Sequence, residues 1–147
     1  FLANRDRGNS SSTAWRPIRE VALGGGELTM TGKLDGLDPS IVALVTRMEQ
    51  DFGVTITVTS GKRAGMENDA LVLAGMAKPD SAHLTGKATD NKAVTSGEKF
   101  TLVRAAMLAG CRRIGVGATF VHTDTDETKP QDVLWLYPCT RPHKEGA

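Results

Sequence analysis

No stretch of this sequence stays apolar for the roughly 20 residues that crossing a bilayer requires. No charged-then-apolar secretory leader opens it either, so the chain reads as soluble. Its first residue is Phe1 rather than Met, which reads as a processed product or a piece excised from something longer. Cysteine is scarce. Cys111 and Cys139 are too few and too far apart for a cysteine-based zinc motif, and they are either a disulfide pair or two buried thiols. An excess of one charge is also missing: 18 Lys+Arg stand against 17 Asp+Glu, a net of +1, which gives no broad field for nucleic acid. These absences direct the search for function to a site. The length of 147 residues fits one domain, large enough to bury a core without disulfides.

Residues 1–30 lack a sustained apolar period and hold a Ser run (Ser10 to Ser12) and a Gly run (Gly24 to Gly26), which reads as an arm or linker before a domain over 31–140. Residues 141–147 read as a polar tail containing His143. Asp38-Pro39, an N-cap residue and a proline at the first helical position, precede Ile41, Leu44, Val45, Met48 and Phe52 at helical spacing, and Gly53 closes the helix. Val54, Ile56 and Val58 then alternate with threonines, the pattern of a half-buried strand ending at Ser60-Gly61. Helical composition returns from Glu67 to Ala77. Thr95 and Glu98 form a capping box for a helix running through Phe100, Val103, Met107 and Leu108 to Gly110. Short β-like runs follow at Arg113 to Val116, Thr119 to Thr125 and Val133 to Tyr137. Helices early and strands late predict an α+β domain with a mostly antiparallel sheet and helices on one side.

Two of the chain's 3 histidines fall near carboxylates: Ser81-Ala82-His83-Leu84-Thr85-Gly86-Lys87-Ala88-Thr89-Asp90, and later Phe120-Val121-His122-Thr123-Asp124. A strand through Gly86 to Asp90 turns Gly86, Ala88 and Asp90 one way and Lys87 and Thr89 toward solvent. Small residues beside a carboxylate leave room for a metal and its water. His83 and Asp90 are separated by an odd number of positions, so they meet only if Gly86 provides a turn or bulge between them. Phe120, His122 and Asp124 share a face of the second strand, which a neighbouring-strand arrangement can bring to the first pair. Two imidazoles and a carboxylate, with a fourth position left for water, make a catalytic rather than a closed structural zinc set.

The pattern S-x-H-x-x-G-x-A-x-D at Ser81, His83, Gly86, Ala88 and Asp90, followed by H-x-D at His122 and Asp124, resembles the zinc D-alanyl-D-alanine carboxypeptidase family. That family includes murein endopeptidases and phage endolysins, and the hedgehog signalling domain shares its fold. Arg113-Ile114-Gly115-Val116-Gly117 resembles the family's Gly-rich approach to the second motif, and Ser60-Gly61-Lys62-Arg63 with Asn68 its Ser-Gly-x-Arg loop and following Asn. The similarity spans roughly Leu37 to Tyr137.

The resemblance implies that His83, Asp90 and His122 bind zinc and that Arg63 engages a carboxylate of the substrate peptide. Murein peptides present free carboxylates, which a guanidinium binds bidentately. Ser81 falls on the substrate side of the site as a hydrogen-bonding residue, not a nucleophile, since it lies in no Ser-His-Asp context or G-x-S-x-G elbow. Thr119 stands where several branches carry the general-base carboxylate. That leaves Asp124 as the candidate catalytic carboxylate, either as base or as the group orienting a histidine ligand. Lys62, Asn91 and Asp126 are further departures. The implied function is a zinc peptidase cutting an amide bond in peptidoglycan, as carboxypeptidase or endopeptidase, acting at the cell wall as a periplasmic, secreted or phage-associated protein. The alternative is a zinc-bound, non-catalytic scaffold that binds cell wall or forms part of a phage or cell-envelope assembly.

Overall fold

The computed structural model describes residues 30–138, so the proposed arm before Met30, the polar tail, His143 and Cys139 lie outside the described residues. The first elements of the described residues are strand β1 (Thr31–Gly32) and helix α1 (Pro39–Phe52). The helix starts where the sequence says it should: Asp38 Oδ1 accepts from Ser40 N–H at 2.9 Å, and Pro39 occupies a first-turn position where no amide donor is needed. Gly53, at φ 64°, ends it in the left-handed conformation. Ile41, Leu44, Val45 and Met48 form its buried stripe.

Strand β2 (Thr57–Ser60) and helix α2 (Gly65–Leu73) follow. The second helix stops short of Ala77 because Gly75 turns the chain at φ 70°. A 3-10 turn (Ala82–Thr85) leads into β3 (Ala88–Lys92), and α3 (Ser96–Leu108) opens on the expected capping box, with Glu98 N–H donating to Thr95 Oγ1 at 3.2 Å and Thr95 N–H to Glu98 Oε2 at 2.9 Å. Phe100, Met107 and Leu108 are exposed, whereas Leu102, Ala105, Ala106 and Ala109 are buried. Small side chains on the buried face let this helix approach its neighbours closely.

Strands β4 (Arg113–Val116), β5 (Phe120–Asp124) and β6 (Val133–Leu136) complete a sheet of order β1-β2-β3-β5-β4-β6. The central pairs β2/β3, β3/β5 and β4/β5 are antiparallel, as expected, but the outer pairs β1/β2 and β4/β6 are parallel, so the sheet is mixed. Each parallel pair arises because the chain travels away before returning: β1 returns as β2 through α1, and β6 pairs with β4 after β5 has intervened.

Val58, Ile114 and Val121 of the sheet join the apolar residues of α1 and α3 in one core cluster. Alternation along β5 therefore sends Val121 and Thr123 to the helices, and His122 and Asp124 to the opposite face. Thr89, expected to meet solvent, is instead fully buried, and its hydroxyl hydrogen-bonds that of Thr123 at 2.9 Å. Asn91 is buried beside it, donating from Nδ2 to Val121 O at 3.1 Å and Thr123 Oγ1 at 3.2 Å. These polar residues survive in the interior because their hydroxyls and amide donor find partners across the strands. No helix among the described residues is long and apolar enough to cross a membrane.

Candidate metal centre

Three elements bring His83, Asp90 and His122 together. Ser81 caps the 3-10 turn by accepting from His83 N–H at 3.3 Å, and Gly86 closes it in the left-handed region at φ 73°. A side chain at position 86 would place its Cβ 2.4 Å from Gly36 O, so glycine is required by space as well as by backbone conformation. This is the turn expected between His83 and Asp90, although His83 lies on a 3-10 turn and not on a strand. Asp90 sits on β3 directly opposite His122 on β5, and the antiparallel register fixes their approach.

The ligand-type atoms form a tight triangle. His83 Nε2 lies 3.3 Å from Asp90 Oδ1 and 3.3 Å from His122 Nδ1, and His122 Nδ1 lies 2.8 Å from Asp90 Oδ1. A tetrahedral ion with bonds of about 2.0–2.1 Å separates its ligands by about 3.3 Å, so the triangle has the size such an ion requires. The outer nitrogens decide which ring atoms face inward as bare acceptors. His83 Nδ1 is 2.7 Å from Gly61 O, which can only accept, so Nδ1 carries the hydrogen and Nε2 presents a lone pair. His122 lies between two carboxylates, with Nε2 3.1 Å from Asp124 Oδ2 and Nδ1 2.8 Å from Asp90 Oδ1, so Nδ1 presents a lone pair to a metal when the hydrogen of the neutral ring sits on Nε2 facing Asp124. With the ring neutral in that tautomer, three acceptor atoms converge, an arrangement suited to a cation. These residues are a group that could hold a metal ion, and all of them are buried.

Electrostatics favour positive charge at the same place. Burial pulls the His122 pKa down, but hydrogen bonds to Asp124 and Asp90 outweigh it and raise the pKa above its ordinary value. Burial also opposes ionisation of Asp90, and His122 and His83 overcome it, holding the carboxyl well below the usual range.

Asp124 shares a face with His122, as expected, but it stands behind the imidazole, away from the triangle. Oδ2 meets His122, while Oδ1 accepts from Arg113 Nε at 2.8 Å and from Asp126 N–H at 3.1 Å. Of the two roles left open for this residue, that position matches orientation of the histidine. Arg63 reaches the site but is partly engaged, donating from Nη2 to Asp90 Oδ2 at 3.2 Å and from Nε to Ser60 Oγ at 3.2 Å. Thr119 is exposed at the entrance to β5 and does not line the cavity.

That cavity, about 710 Å³, opens over the triangle and is walled by Arg63, Ser81, Leu71 of α2, Lys129, Trp135 and Tyr137. Three of the side chains around the triangle went unrecognised in the sequence: Arg113, Trp135 and Tyr137. Trp135 packs its ring 5.4 Å from that of His122, and Tyr137 lies 6.1 Å from it. Burial and the nearby Asp90 charge push the Tyr137 hydroxyl up to about 12. The available signal was the alternation of Val133, Trp135 and Tyr137 along a strand, with Gly115 as the bare floor on which two rings can lie.

Cys111 is buried, its thiol donating to Arg113 O at 3.2 Å, and burial pushes it up to about 11.

No curated protein matches this sequence. Among solved structures, the L-Ala D-Glu endopeptidase ChiX of Serratia marcescens is similar at 24% identity and a TM-score of 0.46, over 62% of this chain and 81% of that one. The model of the family described as Peptidase M15 matches residues 22–124, which include all three residues of the triangle. On that match, the chain belongs to the M15 peptidases, a family of metallopeptidases.

Proposed function

We propose that this chain is a zinc peptidase that hydrolyses an amide bond in peptidoglycan peptides, with His83, Asp90 and His122 as the metal ligands. The observation that carries this reading is the convergence of three ligand-type atoms whose side chains are each held by a further contact: His83 by Gly61 O, His122 by Asp124 and Asp90 by Arg63. Zinc in that position supplies Lewis acidity, polarising a carbonyl and making water a nucleophile near neutral pH. Asp124 holds His122 in the tautomer that keeps Nδ1 bare. Arg63 pairs with Asp90 through Nη2 and lines the cavity, where its remaining N–H donors bind a carboxylate of the substrate peptide. Ser81, whose Oγ accepts from His83 N–H, lines the same cavity and offers its own O–H to the peptide. Trp135 and Tyr137 wall the site and exclude water. The substrate places the protein's work at the cell wall, as carboxypeptidase or endopeptidase, in a periplasmic, secreted or phage-associated setting.

One observation favours a second reading, a zinc-bound scaffold that binds cell wall or serves in a phage or envelope assembly without cutting. The only carboxylates lining the cavity among the described residues are Asp90 and Asp124, and both are engaged. Digestion of purified sacculi separates the two. Release of new amino termini that stops on chelation and returns with zinc supports the peptidase. Binding to sacculi without any release, by zinc-loaded protein, supports the scaffold.

A further inference from the structure

Behind His122, four side chains close into a ring on the cavity face of the sheet. His122 Nε2 meets Asp124 Oδ2 at 3.1 Å, and Asp124 Oδ1 accepts from Arg113 Nε at 2.8 Å. The Arg113 guanidinium lies 5.4 Å from the centre of the Trp135 ring, and that ring packs back against His122 at 5.4 Å. Arg113 is anchored at its other end by a hydrogen bond from Nη1 to Pro130 O. The ring is built by register: Gly115 on β4 lies opposite His122 on β5 and opposite Trp135 on β6, so its missing side chain leaves the space that Trp135 fills. A Cβ at position 115 would approach Trp135 Cε2 and Nε1 to 2.7 Å.

We infer that Arg113 is a positioning residue for the metal centre, acting through Asp124 to hold His122 with Nδ1 aimed at His83 and Asp90. The inference rests on the ligand set proposed above. Its physical basis is that a carboxylate with two oxygens and a rotatable Cα–Cβ bond fixes an imidazole only if the carboxylate is itself fixed. Arg113 does this twice over. Its side chain is 11% exposed and that of Asp124 is 2% exposed, so water cannot take the guanidinium's place cheaply. Stacking against Trp135 also limits the guanidinium to one plane. Lysine has a point charge without the planar fork, so it cannot reproduce the Nε contact, the Pro130 contact and the stacking together.

Neighbouring Arg112 provides an internal control, because it points the other way, pairs with Asp132 at 2.7 Å and has a side chain 58% exposed. The test is zinc affinity, measured by competition with a colorimetric chelator on the full chain, together with the thermal midpoint of the metal-free protein. Arg113→Gln should weaken zinc binding about tenfold, the lower end of what loss of an outer partner of a metal-binding histidine costs. Arg113→Lys should recover only part of that loss, and Arg112→Gln should leave the affinity at the wild-type value. In an Asp124→Asn background, Arg113→Gln should add little, because the link it acts through is already cut. If Arg113→Gln does not fold, Arg113→Lys and the Asp124→Asn pair carry the test. Wild-type zinc affinity in a folded Arg113 variant, or full additivity with Asp124→Asn, overturns the positioning role. A wild-type chain that binds no zinc overturns the ligand assignment instead, so the two failures are distinguishable.

Discussion

His122 and Asp124, two residues apart on one strand, meet through Nε2 and Oδ2 at 3.1 Å, on the side of the imidazole opposite to Asp90. A carboxylate in that place steers the ring, and both of its oxygens are already engaged. Asp124→Asn keeps the shape and one acceptor oxygen but weakens the hold on the Nε2 hydrogen. The expected outcome is a 10- to 100-fold loss of zinc affinity or turnover. Chelator competition and peptide-release assays on the same preparation check this. Full zinc affinity with turnover down on the order of 1,000-fold or more would instead identify Asp124 as the proton-transfer group.

One zinc per chain is expected from elemental analysis of metal-depleted and reconstituted protein. His83→Ala should fold, since its neighbours in the 3-10 turn and β3 keep their backbone bonds, but should lose stoichiometric zinc. Because only the folded chain presents the triangle, zinc at about 100 times its dissociation constant should stabilise the protein by about 2.7 kcal/mol, and chelator should remove that increment. A folded His83→Ala protein that retains one zinc would sink the assignment.

The pH dependence follows from the raised pKa of His122 and the lowered pKa of Asp90. In metal-free protein, the proton on His122 contributes stability that is fully present below the ordinary imidazole value of 6.5 and is lost as pH rises through the raised value. The Asp90 contribution has the opposite sense: it is present above the ordinary carboxyl value of 3.8 and is lost as pH falls through the lowered value. Zinc competes with the proton for His122, so affinity should climb as pH rises toward the raised value, and binding should release a proton. Calorimetric titration in buffers of different ionisation enthalpy measures that proton directly. A binding heat that is the same in every buffer would contradict the assignment of Nδ1 as a ligand.

Arg63→Ala should impair substrate use more than zinc content. Losing a charge-assisted contact to a desolvated substrate carboxylate costs about 2 to 5 kcal/mol, seen as a fall in kcat/KM. Zinc stoichiometry should hold, because Asp90 keeps both histidines as neighbours. An unchanged kcat/KM on murein peptides would reduce Arg63 to a support for Asp90.

Gly115→Ala places a methyl group where Trp135 and Tyr137 lie, with Tyr137 Cε2 only 2.6 Å from the new carbon. Overpacking of this kind costs about 1 to 3 kcal/mol. Denaturant unfolding should show that loss, accompanied by a changed Trp135 emission as the ring is lifted from His122.

The approach of His83, Asp90 and His122 was legible in the sequence, because they sit in two compact motifs whose spacing carries geometry. The odd separation of His83 and Asp90 demanded a turn, and Gly86 was the residue able to make one. Alternation along Phe120 to Asp124 separated the cavity face from the core face for the same reason. Other features depend on partners distant in the chain. Arg113 and Asp124 are on adjacent strands, and nothing in either local sequence says that they meet. The parallel pairing of β1 and β6 escaped notice because a strand's own residues do not encode its neighbour's direction. Thr89 looked solvent-facing by type, yet the cross-strand Thr123 supplied the hydrogen bond that lets it be buried.

The register that seats Asp90 opposite His122 also sets when the site can come into being. A chain emerging from the ribosome carries His83 and Asp90 long before His122, and these two alone make only a weak, incomplete chelate. Capture of a metal by all three residues would have to wait until β5 has paired with β3, a contact across 32 positions of sequence that closes late relative to the local helices. A slip of one residue in that pairing would set Val121 or Thr123 opposite Asp90 and turn His122 into the core. Bound zinc would therefore act as a proofreader of this sheet, retaining chains in correct register and leaving misregistered ones without their strongest clamp.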